Sequence, residues 1–402
     1  MTIRMTILAS TALIALAGAA QAAEELHIIN CGADTEGQAP VQAEHIKEWE
    51  AANAGYSVRV EFLPWEQCQE KALTLAAAGT PPAAAYMGSR VLKQLAAAEQ
   101  ILPFQMSDEE MATYEPSVIA TAQFDGQVWG LPRAFSTKAL YWNKDLFAQA
   151  GLDMPNGPTT FDELLTAARA ITEKTGAKGF GMPAADMDNT FHEFLNFLYS
   201  NGGQVVDAEG KVAFDSPNNV ETLKFYQELA KYAQPGPIAY DRGKLEPLFK
   251  EGQVAMYTSG AWGRTKAEGV NFGVAPIPAG PQGQHSTLLI TDSLVVFKGT
   301  GKEEATTSLV KFLTAPDRQA AFDKAGGWTP IRQGEGAQAL IAEDPNWKPF
   351  IEAVPAGGPE PLMQDYVAMQ DAAIDGIQAL IEGEITPEEA AKQIQDGLTA
   401  LN

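Results

Sequence analysis

From Glu25 onward the chain alternates between short apolar, β-branched runs and longer stretches in which apolar positions recur every three or four residues. The short runs are LHIIN at 26–30, SVRVEFL at 57–63 and PAAAYM at 82–87. Between and after them the longer spacing predicts helices near 40–54, 66–78 and 89–98. Strands alternating with helices make a parallel sheet covered on both faces. In mid-chain, YWN at 141–143 ends a strand that leads into a helix. PTTFDELLTAARAITEKTG at 158–176 then carries Thr160 as an N-cap with Glu163 three residues on, a capping box. GFGMPA at 179–184 predicts a strand, and helices follow near 190–201, 217–233 and 244–251. VAMY at 254–257 is a further strand, with GVAPIP at 273–278 beyond it. TLLITDSLVVFKGT at 287–300 is a second long β-rich run, followed by helices near 302–313 and 316–324 and a helical tail over 359–402. Two β-rich crossings, near 131–143 and 287–296, imply domains built from discontinuous segments.

The residues ahead of this pattern change its setting. MTIRMTILASTALIALAGAAQAAEE places Arg4 before an apolar core at 7–17 and ends in Ala20-Gln21-Ala22, the form of a secretory signal peptide cut after Ala22. That core is shorter than the roughly 20 apolar residues a spanning helix needs. An exported, soluble, periplasmic protein is expected. About 380 residues would remain, more than one hydrophobic core usually serves, so two domains are expected. The net charge of -23 comes from 51 acidic residues spread along the chain, which makes nucleic acid and anionic membrane surfaces poor partners. Cys31 and Cys68 are the only cysteines. An oxidising compartment favours a disulfide between them over two separate buried thiols.

Catalytic signatures are lacking. There is no G-x-S-x-G; HEFLN at 192–196 fails the H-E-x-x-H pattern at its last position; KGTGKEE at 298–304 is not a phosphate-binding loop. DMDNTF at 186–191 lacks the glycine of a calcium loop. The four histidines are scattered with no zinc spacing, so neither a metal site nor a cofactor is expected, and no acid pair marks a glycosidase. Repeats and stalk-like segments, which would suggest an adhesion protein, are missing too.

Five phrases resemble the extracellular solute-binding proteins of ABC sugar importers, the maltose-binding-protein-like family. They are FDGQVWGLPRAFSTKALYWNKDLFAQAGLD (124–153), TTFDELLTAARAIT (159–172), LFKEGQVAMYTSGAWG (248–263), GVAPIPAGP (273–281) and KFLTAPDRQAAFDKAGGWTPIR (311–332). The resemblance implies an α/β fold of the type II periplasmic binding protein kind: two α/β lobes, a hinge and a ligand cleft between them. It implies a first lobe of 23–135 plus 292–326 and a second of 136–291 plus 327–402. Crossings are expected near 134–140, 287–292 and 326–332. The implied function is delivery of a carbohydrate, whether neutral or an anionic derivative such as a sulfonated sugar glycoside, to the membrane permease of an ABC importer by hinge closure. A monomer without cofactor or catalysis is implied. A glycerophosphodiester or other non-sugar solute is the alternative, and a secreted glycoside hydrolase a more distant one.

Loops at the carboxyl ends of strands face the cleft in such folds. The loop after the first strand offers Asp34, Thr35 and Glu36, either to ligand hydroxyls or as helix caps. The next offers Trp65 and Gln67, with Trp65 equally a core residue. If the first two strands are neighbours, Cys31 and Cys68 sit at their ends, where a bridge would pin both loops. Gly88, Ser89 and Arg90 follow the third strand at a helix N-terminus. Arg133 and Ser136 stand at the first crossing, Arg133 serving either an acid between lobes or ligand oxygens. In the second lobe Asp186, Asp188 and Asn189 face the cleft or cap a helix. The resemblance matches Trp262, set among Ser259, Gly260 and Gly263, to a tryptophan on which a sugar ring stacks. Trp328 and Tyr366 are further candidates.

Overall fold

In a computed structural model of the protein, residues 23–32, 37–207, 209–332, 335–361, 363 and 365–401 are described. The expected leader, Ala22 included, and the candidate contacts Asp34, Thr35 and Glu36 lie outside these residues.

The three short apolar runs become β1 (Glu24–Cys31), β2 (Tyr56–Leu63) and β3 (Ala84–Gly88). β1 lies parallel to both, pairing Glu24 with Tyr56 through Cys31 with Leu63, and Ile28 with Ala84. The helix Gln38–Ala52 covers this sheet, burying Ile46 and Trp49. A small antiparallel pair, β4 (Gln123–Phe124) with β5 (Gln127–Val128), precedes β6 (Leu131–Ser136) and β7 (Ala139–Asn143). Then come β8 (Met256–Ser259), β9 (Phe272–Ala275), β10 (Leu288–Val296) and β11 (Gly358–Pro359). The larger sheet has the order β11-β10-β3-β1-β2, with β6 on the other edge of β10. It is mixed, not parallel throughout, since β10 runs antiparallel to β3 and β6. The physical reason is that β10 enters from the other lobe and meets the sheet from the opposite direction.

The second sheet, β8-β7-β9, is antiparallel. Alternation along β7 explains the unbroken apolar text ALYW. Leu140 and Trp142 enter one core with Phe161, Phe197 and Ile374, whereas Ala139 and Tyr141 enter another with Phe249, Tyr257, Trp347 and Phe350. Side chains two apart share a face, so a strand covered on both faces has no polar position to show. The larger sheet has its own core, built on Ile28, Met87, Phe135, Val295 and Leu309. Separate cores on separate sheets are the physical basis of two lobes.

Segments around Thr137, Thr287 and Thr329 run side by side where the cores meet, and hydrogen bonds hold them together. Thr329 N–H donates to the Phe135 carbonyl at 3.1 Å, and the Thr137 and Thr329 hydroxyls lie 3.2 Å apart. Lys138 N–H donates to Thr287 Oγ1 at 2.7 Å. Within β10, Leu288 joins the second-lobe core and Leu289 the first. Ile331 and Val354 also pack in the first core.

Local expectations were refined in three places. GFGMPA forms isolated parallel bridges, Phe180 to Ala233 and Gly181 to Tyr257, in place of a strand. At the helix Phe161–Lys174, Thr160 Oγ1 accepts from Glu163 N–H at 3.2 Å, but the Glu163 carboxylate reaches back one residue further, accepting from Thr159 N–H at 2.7 Å. The cysteines are bridged, with Cα atoms 5.2 Å apart. Cys31 ends β1 as expected, but Cys68 lies inside the helix Trp65–Ala77, not at a strand end.

Candidate functional site

Strand ends and connecting segments bring four aromatic rings together at the lobe junction. Trp65, at the start of its helix, meets Tyr86 of β3 edge-on at 5.5 Å and Trp328 at 6.0 Å. Trp328 in turn lies 5.1 Å from Trp262. Trp65 is 37 % exposed, unusual for so large an apolar group, and Trp262 and Trp328 are partly exposed. Gly260 is what lets Trp262 lie where it does: a Cβ there would come within 2.0 Å of the indole Cζ3. The Gly260 carbonyl is fixed in turn by the Tyr141 hydroxyl, which donates to it at 2.8 Å. Ser259 is fully buried at the end of β8.

A cluster of charges lies beside this aromatic run. Arg90, just past β3, faces Asp292 and Glu360 at 3.5 Å each and Asp188 at 4.0 Å. Gly88 makes room for its guanidinium, because a Cβ would sit 2.4 Å from an Arg90 nitrogen. Tyr86 donates to Asp292 at 3.2 Å. Tyr366 donates to Glu360 Oε1 at 2.9 Å, and His192 Nε2 lies 3.0 Å from the same oxygen. Burial pushes the Asp292 carboxyl up to about 6 against the pull of Arg90. Burial acts the same way on Glu360 and Asp188, yet Arg90 and His192 hold both below the usual carboxylate range. Arg90 stays charged: burial opposes it, but Glu360, Tyr366 and the aspartates raise its pKa.

A second group surrounds Trp262. Lys138 Nζ lies 5.0 Å and Arg242 Cζ 5.2 Å from its ring centroid. Lys138 donates to Ser136 Oγ at 3.0 Å, and Arg242 donates to Glu193 at 2.8 Å. Asn189 Oδ1 accepts from Arg242 N–H at 3.2 Å, so this candidate positions the arginine's helix. Glu246, also close by, is raised by burial.

Other expected contacts are placed elsewhere. Arg133 is 0 % exposed and belongs to the first lobe's interior. It donates to the Leu313 carbonyl at 2.7 Å and to Gln319 and Gln42 at 3.2 Å each, with its guanidinium 3.5 Å over Phe322. It therefore ties helices to the sheet inside the first lobe. The Ser89 hydroxyl is buried against Ser293 and Thr121, Gln67 is exposed at the start of its helix, and Asp186 is exposed beside an acidic stretch with Asp365, Asp371 and Asp375. Residue-by-residue reading missed Lys138, His192, Glu193, Arg242, Asp292 and Glu360. Lys138 and Asp292 did carry a signal, each being the lone charge in an otherwise uncharged β-rich run, STKALYW and LLITDSLVV.

Comparison with known proteins agrees with this architecture. A family model described as bacterial extracellular solute-binding protein matches residues 32–320. A Brucella abortus protein described only as a binding protein is 28% identical over 397 residues, 96% of this chain and 95% of its own. The sn-glycerol-3-phosphate-binding periplasmic protein UgpB of Rhizobium meliloti is 29% identical over 238 residues, 55% of this chain and 54% of that one. Among solved structures, an ABC transporter solute-binding protein of Thermotoga lettingae bound with α-D-tagatose aligns with a TM-score of 0.82 at 26% identity, over 94% of this chain and 100% of that one. Maltose-bound T. maritima MalE3 aligns with a TM-score of 0.81 at 23% identity, over the same shares.

Proposed function

Since the chain belongs to the bacterial extracellular solute-binding protein family, we propose that it holds a carbohydrate in the cleft and presents the closed complex to the permease of an ABC importer. The aromatic run Trp65, Trp328, Trp262 at the lobe junction carries this reading. Sugar faces offer C–H groups to indole rings while their hydroxyls need donors and acceptors at the rim. The carboxylates and cations beside the run supply those. Similarity to the tagatose-bound protein over 94% of the chain supports the solute class. The sn-glycerol-3-phosphate-binding relative aligns with 55% of the chain, which favours that solute less.

In this reading the solute leaves chemically unchanged, which the shared engagement of Asp188, Asp292 and Glu360 by Arg90 supports. The leader is cut after Ala22, and the mature protein works as a periplasmic monomer without nucleic-acid partners. Among the described residues no helix is long and apolar enough to cross a membrane. In this reading the lobes divide at connections near 134–140, 287–292 and 326–332, and the packing of Ile331 in the first core supports a boundary after that residue. Of the expected contacts, Trp65, Trp262, Trp328 and Gly260 form the platform, Ser136 and Asn189 orient Lys138 and Arg242, and Tyr366 orients Glu360.

A thermal-shift screen of neutral saccharides, polyols and sugar acids against ligand-stripped protein tests this directly. At least one saccharide should raise Tm and be recovered intact, and Trp262→Ala should weaken its affinity about tenfold or more, from lost stacking and burial. Unchanged affinity in a folded Trp262→Ala protein, or release of a hydrolysis product, would refute it.

A further inference from the structure

Sequence alone offers Arg90 and Arg133 as cations for an anionic solute, and both are already occupied. Arg133 is inside the first lobe, and Arg90 faces three carboxylates. Lys138 and Arg242 are in a different position. Lys138 is 1 % exposed, and its ammonium can donate three hydrogen bonds. Among the described residues it makes one, to Ser136 Oγ. No carboxylate among the described residues lies within 4.0 Å of it. Arg242 faces it and repels it, while Glu193, Glu360 and Asp188 attract it from further away. Arg242 spends one guanidinium nitrogen on Glu193, and its side chain is 20 % exposed. Two cations thus converge on one indole, 5.0 and 5.2 Å from its centroid, and among the described residues Glu193 alone is the carboxylate bonded to either. A buried, under-partnered ammonium beside a second cation is costly in water-poor surroundings.

We infer that the transported carbohydrate carries an anionic substituent, a carboxylate, sulfonate or phosphate, seated between Lys138 and Arg242 beside Trp262. The inference rests on the carbohydrate reading above and narrows its solute class. A neutral hydroxyl could accept a bond from Lys138 but could not offset two like charges. An oxyanion does both, taking the lysine as a point charge and the remaining face of the guanidinium as a fork. Burial has pushed Lys138 down to about 7, with Arg242 adding to the effect. An anion seated there reverses the balance, so binding above neutral pH takes up a proton.

Inorganic sulfate is the probe. In protein labelled with 13C at lysine Cε, with Lys138 assigned by its loss in Lys138→Met, excess sulfate should raise the Lys138 pKa by about one unit or more relative to chloride at equal ionic strength. Arg242→Gln should cut that response by at least about half. No response to sulfate, or one that chloride reproduces, or one that survives undiminished in Arg242→Gln, overturns the inference. The parallel saccharide screen separates it from the reading beneath it. If a neutral sugar stabilises the protein while sulfate leaves Lys138 unmoved, the anionic subsite fails and carbohydrate binding stands. If sulfate moves Lys138 and no saccharide, neutral or anionic, stabilises the protein, the subsite stands and the carbohydrate reading fails.

Discussion

Replacing Arg133 with methionine distinguishes an internal fastener from a cleft residue. The substitution keeps much of the apolar volume over Phe322 but removes donors from three buried acceptors: the Leu313 carbonyl, Gln319 and Gln42. Leu313 ends the helix Glu303–Leu313, so its carbonyl is one of the groups that no turn of that helix can satisfy. Leaving buried acceptors unpaired costs about 1–3 kcal/mol each before relaxation, and breaking one side of a buried charged set about 3–5 kcal/mol in all. We expect a loss of about 3–5 kcal/mol in guanidinium unfolding. The loss should also depend on pH. Burial already raises Asp323 to about 7, with Arg133 among the groups that oppose the rise. Without the arginine the folded carboxyl holds its proton to still higher pH. A raised acid pKa means the folded state binds more protons than the unfolded, so stability falls as pH rises from about 3.8 toward the folded value. The variant's deficit should therefore be larger at pH 8 than at pH 5. Affinity for a saccharide ligand, read by tryptophan fluorescence under conditions where the variant is folded, should stay within about threefold of the wild type. Unchanged stability with collapsed affinity would put Arg133 in the cleft, and a larger deficit at pH 5 would refute its coupling to Asp323.

Three further outcomes are expected. Opening the Cys31–Cys68 bridge, which spans 37 positions, should cost about 4 kcal/mol by loop entropy; identical denaturant midpoints with and without reductant would contradict that. Gly260→Ala places a methyl where the Trp262 ring lies, so saccharide affinity by calorimetry should fall about tenfold or more; an unaltered affinity would mean the indole's position is immaterial. Lys138 titrates at about 7 when folded and near 10.5 when unfolded, so the unfolded state binds more protons between those values. Stability of the ligand-free protein should consequently rise with pH from about 7 to 9.5, and a slope equal to that of Lys138→Met in thermal unfolding would count against a buried ammonium.

Much of the fold was legible because it is written in periodicity. Ile28, Val58 and Ala85 fall in runs whose spacing is that of strands, and the three-to-four spacing between them gives the helices within one or two residues. Trp262 was singled out through the family resemblance, and its small neighbours at 260, 261 and 263 leave room for the indole. Arg133 was not, since its partners come from Gln42, Leu313 and Gln319, up to 186 positions away. An arginine in a crossing strand reads the same whether its side chain turns into the cleft or into the lobe. The Arg90 cluster was hidden for the same reason, being assembled from the end of β3, β10, a helix start at Asp188 and the segment before Tyr366. Lone charges in uncharged β-rich runs are the exception. Burying Lys138 or Asp292 is expensive enough that its presence in such a run already asks for a partner.

The energy of closure connects these charges to transport. Arg90 pairs with Asp188 at 4.0 Å, and a contact between protein groups alone favours no ligand over another. A solute shifts the equilibrium only by contacts that are better in the closed form, and moving a state ratio from 1:99 to 99:1 takes about 5.5 kcal/mol. Lys138 lies on the connection between β6 and β7, next to the Thr287 and Thr329 segments, and its ammonium is buried where the lobes meet. Lowering a lysine from 10.5 to about 7 represents at most about 5 kcal/mol, a debt that the closed form carries as long as no anion is present. To the extent that opening returns the ammonium to water, that debt holds the ligand-free lobes apart. An anionic solute removes it only by being enclosed. The quantity that disfavours empty closure and the quantity that rewards occupied closure are then the same, and Lys138→Met should make the ligand-free protein close more readily, seen as a smaller radius of gyration by X-ray scattering. An unchanged or larger radius would dissociate Lys138 from the hinge equilibrium.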